Sequence, residues 1–266
     1  MTDRSSMKAP QQQQGQAPAR FWALIPCAGV GARAIARTAA GSAAPELPKQ
    51  YQPVAGSPMV MHTLAAFAGV PRVHHSLVVI AAGDSFWQQL PTADHYGTEA
   101  CGGATRAETV GNGLKALLDR GAQPQDWVLV HDAARCLVTS GQINALIDAC
   151  EHDAVGGLLA HQLPDTLKMA TMGADGVRVA ATVDRSDKWL AQTPQMFRIA
   201  VLMDALAKAD AAGVAVTDEA SAMEAAGLQP KLVAGGAQNF KVTYPDDFAL
   251  AAAVLLQRQG GLQARH

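Results

Sequence analysis

Short apolar, β-branched runs alternate with segments of helical period along most of this chain. Runs at 21–25, 77–81, 127–131 and 155–160 have the length and residue types of buried strands. Between them, 59–68, 107–118 and 143–151 carry apolar residues at helical spacing. Thr105, three residues ahead of Glu108, marks the start of the second of these helices, and Gly121 marks its stop. Strand–helix alternation predicts an α/β fold: a mostly parallel sheet with helices on both faces. Ligands of such sheets bind beyond the carboxyl ends of the strands. Three polar clusters fall there: the loop around Gly29, the turn from Gly102 to Arg106, and the turn from His131 to Arg135.

The rhythm breaks at 163–185. Val177, Val179 and Ala181 alternate with Arg178, Ala180 and Thr182 behind a turn at Gly173–Gly176, which predicts a β-hairpin arm. A hairpin alone in water is marginal, so one projecting from a domain needs a packing partner, such as a second subunit. Helices follow at 199–212 and 217–226, with short strands at 231–234 and 240–243. A last helix starts behind Pro245, with Asp246 and Asp247 in its first turn. The expected organisation is a disordered tail over 1–20, one domain over 21–258, and a flexible end over 259–266. The tail is polar, with glutamine from Gln11 to Gln14.

Composition narrows the function classes. The chain has 266 residues, 49% hydrophobic and 17% charged, with a net charge of −2. Near-neutral charge argues against a nucleic-acid or anionic-membrane partner. No apolar stretch reaches the roughly 18 residues of a membrane span, and the tail lacks the apolar core of a secretory signal. Cys27, Cys101, Cys136 and Cys150 show no C-x-x-C pairing, so reduced thiols in the cytoplasm are expected.

The chemistry concentrates between Phe21 and Tyr51. An apolar run ends at Pro26 and opens into small residues that include Ala28, Gly29 and Gly31. Arg33 follows, and Lys49 lies on a later Pro-Lys-Gln turn. A strand running into a glycine loop lets backbone N–H groups approach a phosphate. Two nearby cations suit charge that develops at phosphorus. Gly29, Gly31 and Ala34 also satisfy the dinucleotide string G-x-G-x-x-A. That reading needs an acid roughly 20 residues on, where Lys49 stands. Asp132 ends an apolar run and serves either a ligand or a helix cap; His131 beside it reads as a packed histidine. Arg135 suits a substrate phosphate or a carboxylate. Gly103 and Thr109 flank a capped helix start that either reads a base edge or is an ordinary loop. Lys241 sits between apolar neighbours and points either inward or outward.

The strings PCAGVGAR, PKQY, VLVHDAAR, DTLK, TVDR, LAQTPQMF, TDEASAME and NFKVTYPDD occur in order along the chain. Together they resemble the 2-C-methyl-D-erythritol 4-phosphate cytidylyltransferase family. The resemblance implies a Rossmann-like nucleotidyltransferase fold, a homodimer joined through the β-arm, and magnesium with CTP as substrate. CMP would pass to methylerythritol phosphate with release of pyrophosphate. By similarity, Arg33 and Lys49 stabilise the transition state, and Arg185 and Lys241 position the acceptor phosphate. Ala28, Gly29, Gly103, Thr109 and Asp132 match the nucleotide pocket. Asp132, Arg135, Thr166, Thr193 and Thr217 match acceptor-side contacts, with Thr166 and Arg185 serving the partner's site. The metal ligands are not specified. The chain departs from the pattern in a longer stretch between Arg33 and Lys49, in Ala104 where relatives often carry an acid, and in Thr109 where serine is common. Rival readings are a ribitol phosphate cytidylyltransferase, a silent nucleotide-binding module, and a dehydrogenase.

Overall fold

A computed structural model describes residues 18–29 and 47–263. In chain order the elements are β1 (Phe21–Pro26), β2 (Pro53–Val54), β3 (Ser57–Pro58), α1 (Met59–Ala68), β4 (Val73–Val79), β5 (Tyr96–Glu99), α2 (Arg106–Asp119) and β6 (Trp127–Val130). They continue with α3 (Ser140–Cys150), β7 (Gly156–Gln162), β8 (Leu167–Gly173), β9 (Gly176–Val183), β10 (Trp189–Arg198), α4 (Ile199–Ala211), α5 (Glu219–Ala225), β11 (Lys231–Ala234) and α6 (Pro245–Gln263).

Seven strands form the main sheet among the described residues, in the order β11-β7-β10-β6-β1-β4-β5. Pairing is parallel except along β10, which runs antiparallel to both β6 and β7. The alternation of side chains along β1 divides the core. Ala23 and Ile25 pack with α1 and α3 through Leu64, Phe67 and Leu146. Trp22 and Leu24 pack on the other face with α2, α4 and α5 through Leu114, Leu202 and Met223. Each such fully buried leucine contributes about 1.5–3 kcal/mol, so the two-sided burial of β1 makes it the centre of the fold. α6 closes a third cluster over Leu137 and Val242.

The helix over 107–118 is capped as its sequence predicts. Thr105 accepts from the Glu108 N–H at 3.1 Å, and Gly121, at φ +91°, ends the turn. The Glu108 side chain accepts from Ala104 N–H at 2.8 Å, so it braces the preceding loop. The predicted hairpin is β8 and β9, which pair only with each other. Its apolar residues face solvent, with Met172 78% and Val177 68% exposed.

One expected strand is missing, and β5 and β10 of the main sheet are not among those expected. The segment 240–243 is not a strand; its backbone is tied by bonds from Val242 N–H to the Ala134 carbonyl, from the Lys49 ammonium to the Val242 carbonyl and from Thr243 N–H to Asp247. Conversely, β10 is a ten-residue strand where no strand is expected. Proline and glutamine weaken that signal. Pro194 is accommodated because the pairing with β7 shifts register between Ala191 and Gln195. Among the described residues, no helix is long and apolar enough to cross a membrane.

Helix α2 lies close on the sheet because position 113 is glycine. A Cβ there would press at 2.6 Å on Leu24 and 2.7 Å on Val79. Gly113→Ala is expected to cost about 1–3 kcal/mol by overpacking, read as a lowered thermal midpoint.

Candidate active site

Chain order reverses at β1, which has β4 on one side and β6 on the other. Open α/β sheets place ligands at such switch points. A cleft of about 470 Å³ opens there, lined by Ala28, Gly29, Lys49, Gly103, Arg106, Thr109, Asp132 and Lys241 with their neighbours. The three polar clusters seen in the sequence therefore share one rim. Two lysines from distant segments join them.

Each wall is held by specific contacts. Gly102 rests against the first loop, where a Cβ would collide with the Ala28 side chain and the Ile80 carbonyl. No larger residue fits that approach. The Gly103 N–H donates to the Thr109 hydroxyl at 3.0 Å, and that hydroxyl donates to the Thr105 carbonyl at 2.9 Å. Thr109 thus shapes the turn as well as lining the cleft. Lys49 opens a single 3-10 turn whose other two side chains are buried. Gln50 donates to the Cys27 carbonyl at 2.9 Å, and the Tyr51 hydroxyl donates to Asp84 at 2.5 Å. The Lys49 ammonium donates to the Val242 carbonyl at 2.8 Å.

The Asp132 carboxylate lines the cleft and caps no described helix. Oδ1 accepts from Arg106 Nε at 2.9 Å and Oδ2 from Lys241 Nζ at 2.7 Å. Burial alone would raise its pKa. The two cations outweigh burial and hold the carboxyl well below the usual carboxylate range. Lys241 points inward, on a loop rather than the expected strand. Arg106 also forks onto Glu219, at 2.6 and 3.1 Å, and Glu219 is 1% exposed. Sequence reasoning assigned no role to Arg106 or Glu219. Arg106 lay inside a cluster already marked, whereas nothing in the string TDEASAME distinguishes Glu219 as buried.

A second network lies behind the first. The Asp132 N–H donates to the Thr193 hydroxyl at 3.1 Å, and that hydroxyl meets His131 Nδ1 at 3.0 Å. His131 Nε2 lies 3.2 Å from the Arg135 carbonyl, which can only accept. The proton is therefore assigned to Nε2, and Nδ1 accepts from Thr193. Burial pushes the His131 pKa down to about 4, so the ring is neutral. Arg135 makes no ion pair with a described carboxylate. It donates to the carbonyls of Asn239 at 2.8 Å and Ala191 at 3.1 Å.

The remaining candidates lie elsewhere. Thr166 and Arg185 are exposed at the base of the hairpin, where Arg185 donates to the Leu163 carbonyl at 3.2 Å. Thr217 is exposed ahead of α5. Arg33 lies outside the described residues. The described cleft lining holds no histidine or cysteine. Cys27 is buried nearby, and burial pushes its thiol far up, away from nucleophilic use. Among the described residues, no three of His, Cys, Asp and Glu gather to hold a metal.

The model of the IspD family, 2-C-methyl-D-erythritol 4-phosphate cytidylyltransferase, matches residues 21–257. The chain belongs to this family. It is 60% identical over 243 residues to a bifunctional enzyme IspD/IspF of Albidiferax ferrireducens. That match covers 91% of this chain but only 54% of the longer relative. It is 52% identical to the 2-C-methyl-D-erythritol 4-phosphate cytidylyltransferase of Bordetella pertussis, over 86% of this chain and 95% of that one. A crystal structure of 4-diphosphocytidyl-2C-methyl-D-erythritol synthase superposes with a TM-score of 0.75 at 38% identity, covering 90% of this chain and all of that one. The architecture is thus the Rossmann-like nucleotidyltransferase fold that the IspD resemblance implied. A dehydrogenase is set aside.

The neutral His131 carries a pH prediction. Unfolded, its ring takes a proton near the ordinary 6.5; folded, it does so only near 4. The unfolded state then binds more protons between these values, so stability falls as pH falls through that window. Urea unfolding should show about 2.5 kcal/mol lost from this source between pH 7 and 4.5, and His131→Gln should flatten the dependence.

Proposed function

We propose that this chain is an enzyme that transfers CMP from CTP to the phosphate of 2-C-methyl-D-erythritol 4-phosphate. The observation that carries the proposal is the cleft itself: the backbone at Ala28 and Gly29, two lysines and one doubly paired aspartate, with no histidine or cysteine among its described lining residues. An oxygen of the acceptor phosphate attacks the α-phosphorus of CTP. The bond to the β-phosphate oxygen breaks, and pyrophosphate leaves with that electron pair. No covalent enzyme intermediate is required, so catalysis consists of positioning and charge stabilisation.

In this reading the N–H groups around Ala28 and Gly29 face the triphosphate, and Gly103 and Thr109 shape the base pocket. Lys49, with Arg33, stabilises charge at the α-phosphorus. Lys241 holds the acceptor phosphate, and Asp132 stands between nucleotide and acceptor. Thr193 and Arg135 serve that side by fixing the turn that carries Asp132, and Thr217 is assigned to the acceptor on the family resemblance. Arg185 and Thr166, which do not line the cleft of their own chain, are assigned to the site of a second copy. The exposed apolar arm supports a homodimer of that kind. Magnesium fits as an ion that arrives on the triphosphate, because among the described residues Asp132 is the one carboxylate lining the cleft. Asp132 is the protein group that would face it, and the ion would offset phosphate charge. The proposed setting is the cytoplasm.

Pyrophosphate release with CTP and magnesium tests the reading. Release is expected with methylerythritol phosphate and not with ribitol phosphate; the reverse preference would keep the chemistry and reassign the acceptor. Lys49→Ala should lower turnover about 10²–10³-fold while weakening CTP binding much less. Lys49→Ala and Arg185→Ala subunits, each inactive alone, should regain activity when mixed. Verified mixed dimers without recovery would sink the exchange of arms.

A further inference from the structure

We propose that Arg106 and Glu219 are positioning residues that govern the acceptor side of the cleft through Asp132. This rests on the cytidylyltransferase reading and deepens it. Arg106 lines the cleft and looks at first like another cation for the triphosphate. Its contacts say otherwise. Two of its nitrogens are spent on Glu219, and Nε is spent on Asp132. Two carboxylates therefore share one guanidinium, which leaves no net positive charge to offer a phosphate.

Glu219 does not reach the cleft. It is 1% exposed, at the start of α5, and Ala220 beside it donates to the Gln195 side chain at 2.7 Å. A buried carboxylate is costly unless it is paired, and the forked pairing both offsets that cost and fixes the plane of the guanidinium. Lysine would not reproduce the fork. With Arg106 fixed, Asp132 has one oxygen for Arg106 and the other for Lys241. If Arg106 is released, both oxygens of Asp132 become available to the Lys241 ammonium. Lys241 is then drawn toward the carboxylate and away from an incoming phosphate. The chain of contacts runs from α5 through α2 to the loop bearing Lys241, and each link is within 3.1 Å.

The role separates from two others by where the loss appears. A triphosphate cation would show in CTP affinity, and a merely structural pair would show in stability alone. For Glu219→Gln and Arg106→Lys we expect CTP–magnesium affinity, measured by calorimetry without acceptor, to stay within about threefold. Turnover per acceptor KM should fall about 10- to 100-fold. The kinetic effect of Glu219→Gln should vanish in an Asp132→Asn background, while its effect on the thermal midpoint persists. Unchanged kinetics in folded variants overturn the proposal. So does a loss carried mainly by CTP affinity, or an effect that adds to that of Asp132→Asn. If Glu219→Gln does not fold, Arg106→Lys carries the same test. Absence of turnover in the unaltered protein overturns the activity reading and this proposal together; normal turnover with unaffected variants overturns this proposal alone.

Discussion

The ion pairing of Asp132 is the constraint on which the site depends. A carboxylate buried at the end of a hydrophobic strand would ordinarily hold its proton. Here it is ionised because Arg106 and Lys241 each take one oxygen. That arrangement draws α2 and the loop after β11 together over the end of β6, and Glu219 brings α5 into the same network. The opposite wall is held by hydrogen bonds without an ion pair, with Gln50 on the Cys27 carbonyl and Tyr51 on Asp84 anchoring the turn that bears Lys49. The cleft thus has one electrostatic wall and one wall fixed by hydrogen bonding.

Such a division suits a reaction in which negative charge is handed from one phosphate to another. Fixed dipoles and cations cost no reorganisation as the charge moves. Burial keeps His131 neutral and the Cys27 thiol protonated, so neither side chain is suited to proton transfer or nucleophilic attack. The histidine is structural: it reads the backbone of its own turn and passes that geometry to Asp132 through Thr193.

Much of this was legible in the chain. The period of 59–68, the cap at Thr105 and the stop at Gly121 are local signals, and local signals survive folding. The three strand-end clusters were legible because topology alone sends strand ends of a parallel sheet to one rim. What escaped was set by distant contacts. β10 carries proline and glutamine and forms a strand only because β6 and β7 flank it. The segment around Lys241 alternates like a strand, yet its backbone is bound by the Ala134 carbonyl and the Lys49 ammonium. Glu219 has the sequence neighbours of a solvated helix residue, and nothing local records the guanidinium that buries it. Arg135 holds the carbonyls of Ala191 in β10 and Asn239 beyond β11, partners 56 and 104 residues away that nothing in its own string records.

The order of pairing about β1 has a consequence for how the protein reaches its native state. β1 meets β4 about fifty residues later, but its other edge waits for β6, where Phe21 aligns with Trp127. The Arg20 backbone and the Trp22 indole are likewise held by Asp126. Lys49 finds the Val242 carbonyl only after 193 further residues have been placed. Closing such long loops precedes the contacts that reward them, which slows folding. During synthesis the central strand therefore stands half paired, with an open edge, until the chain beyond Trp127 has emerged. The cleft is complete only once Lys241, far along the chain from Lys49, has been placed.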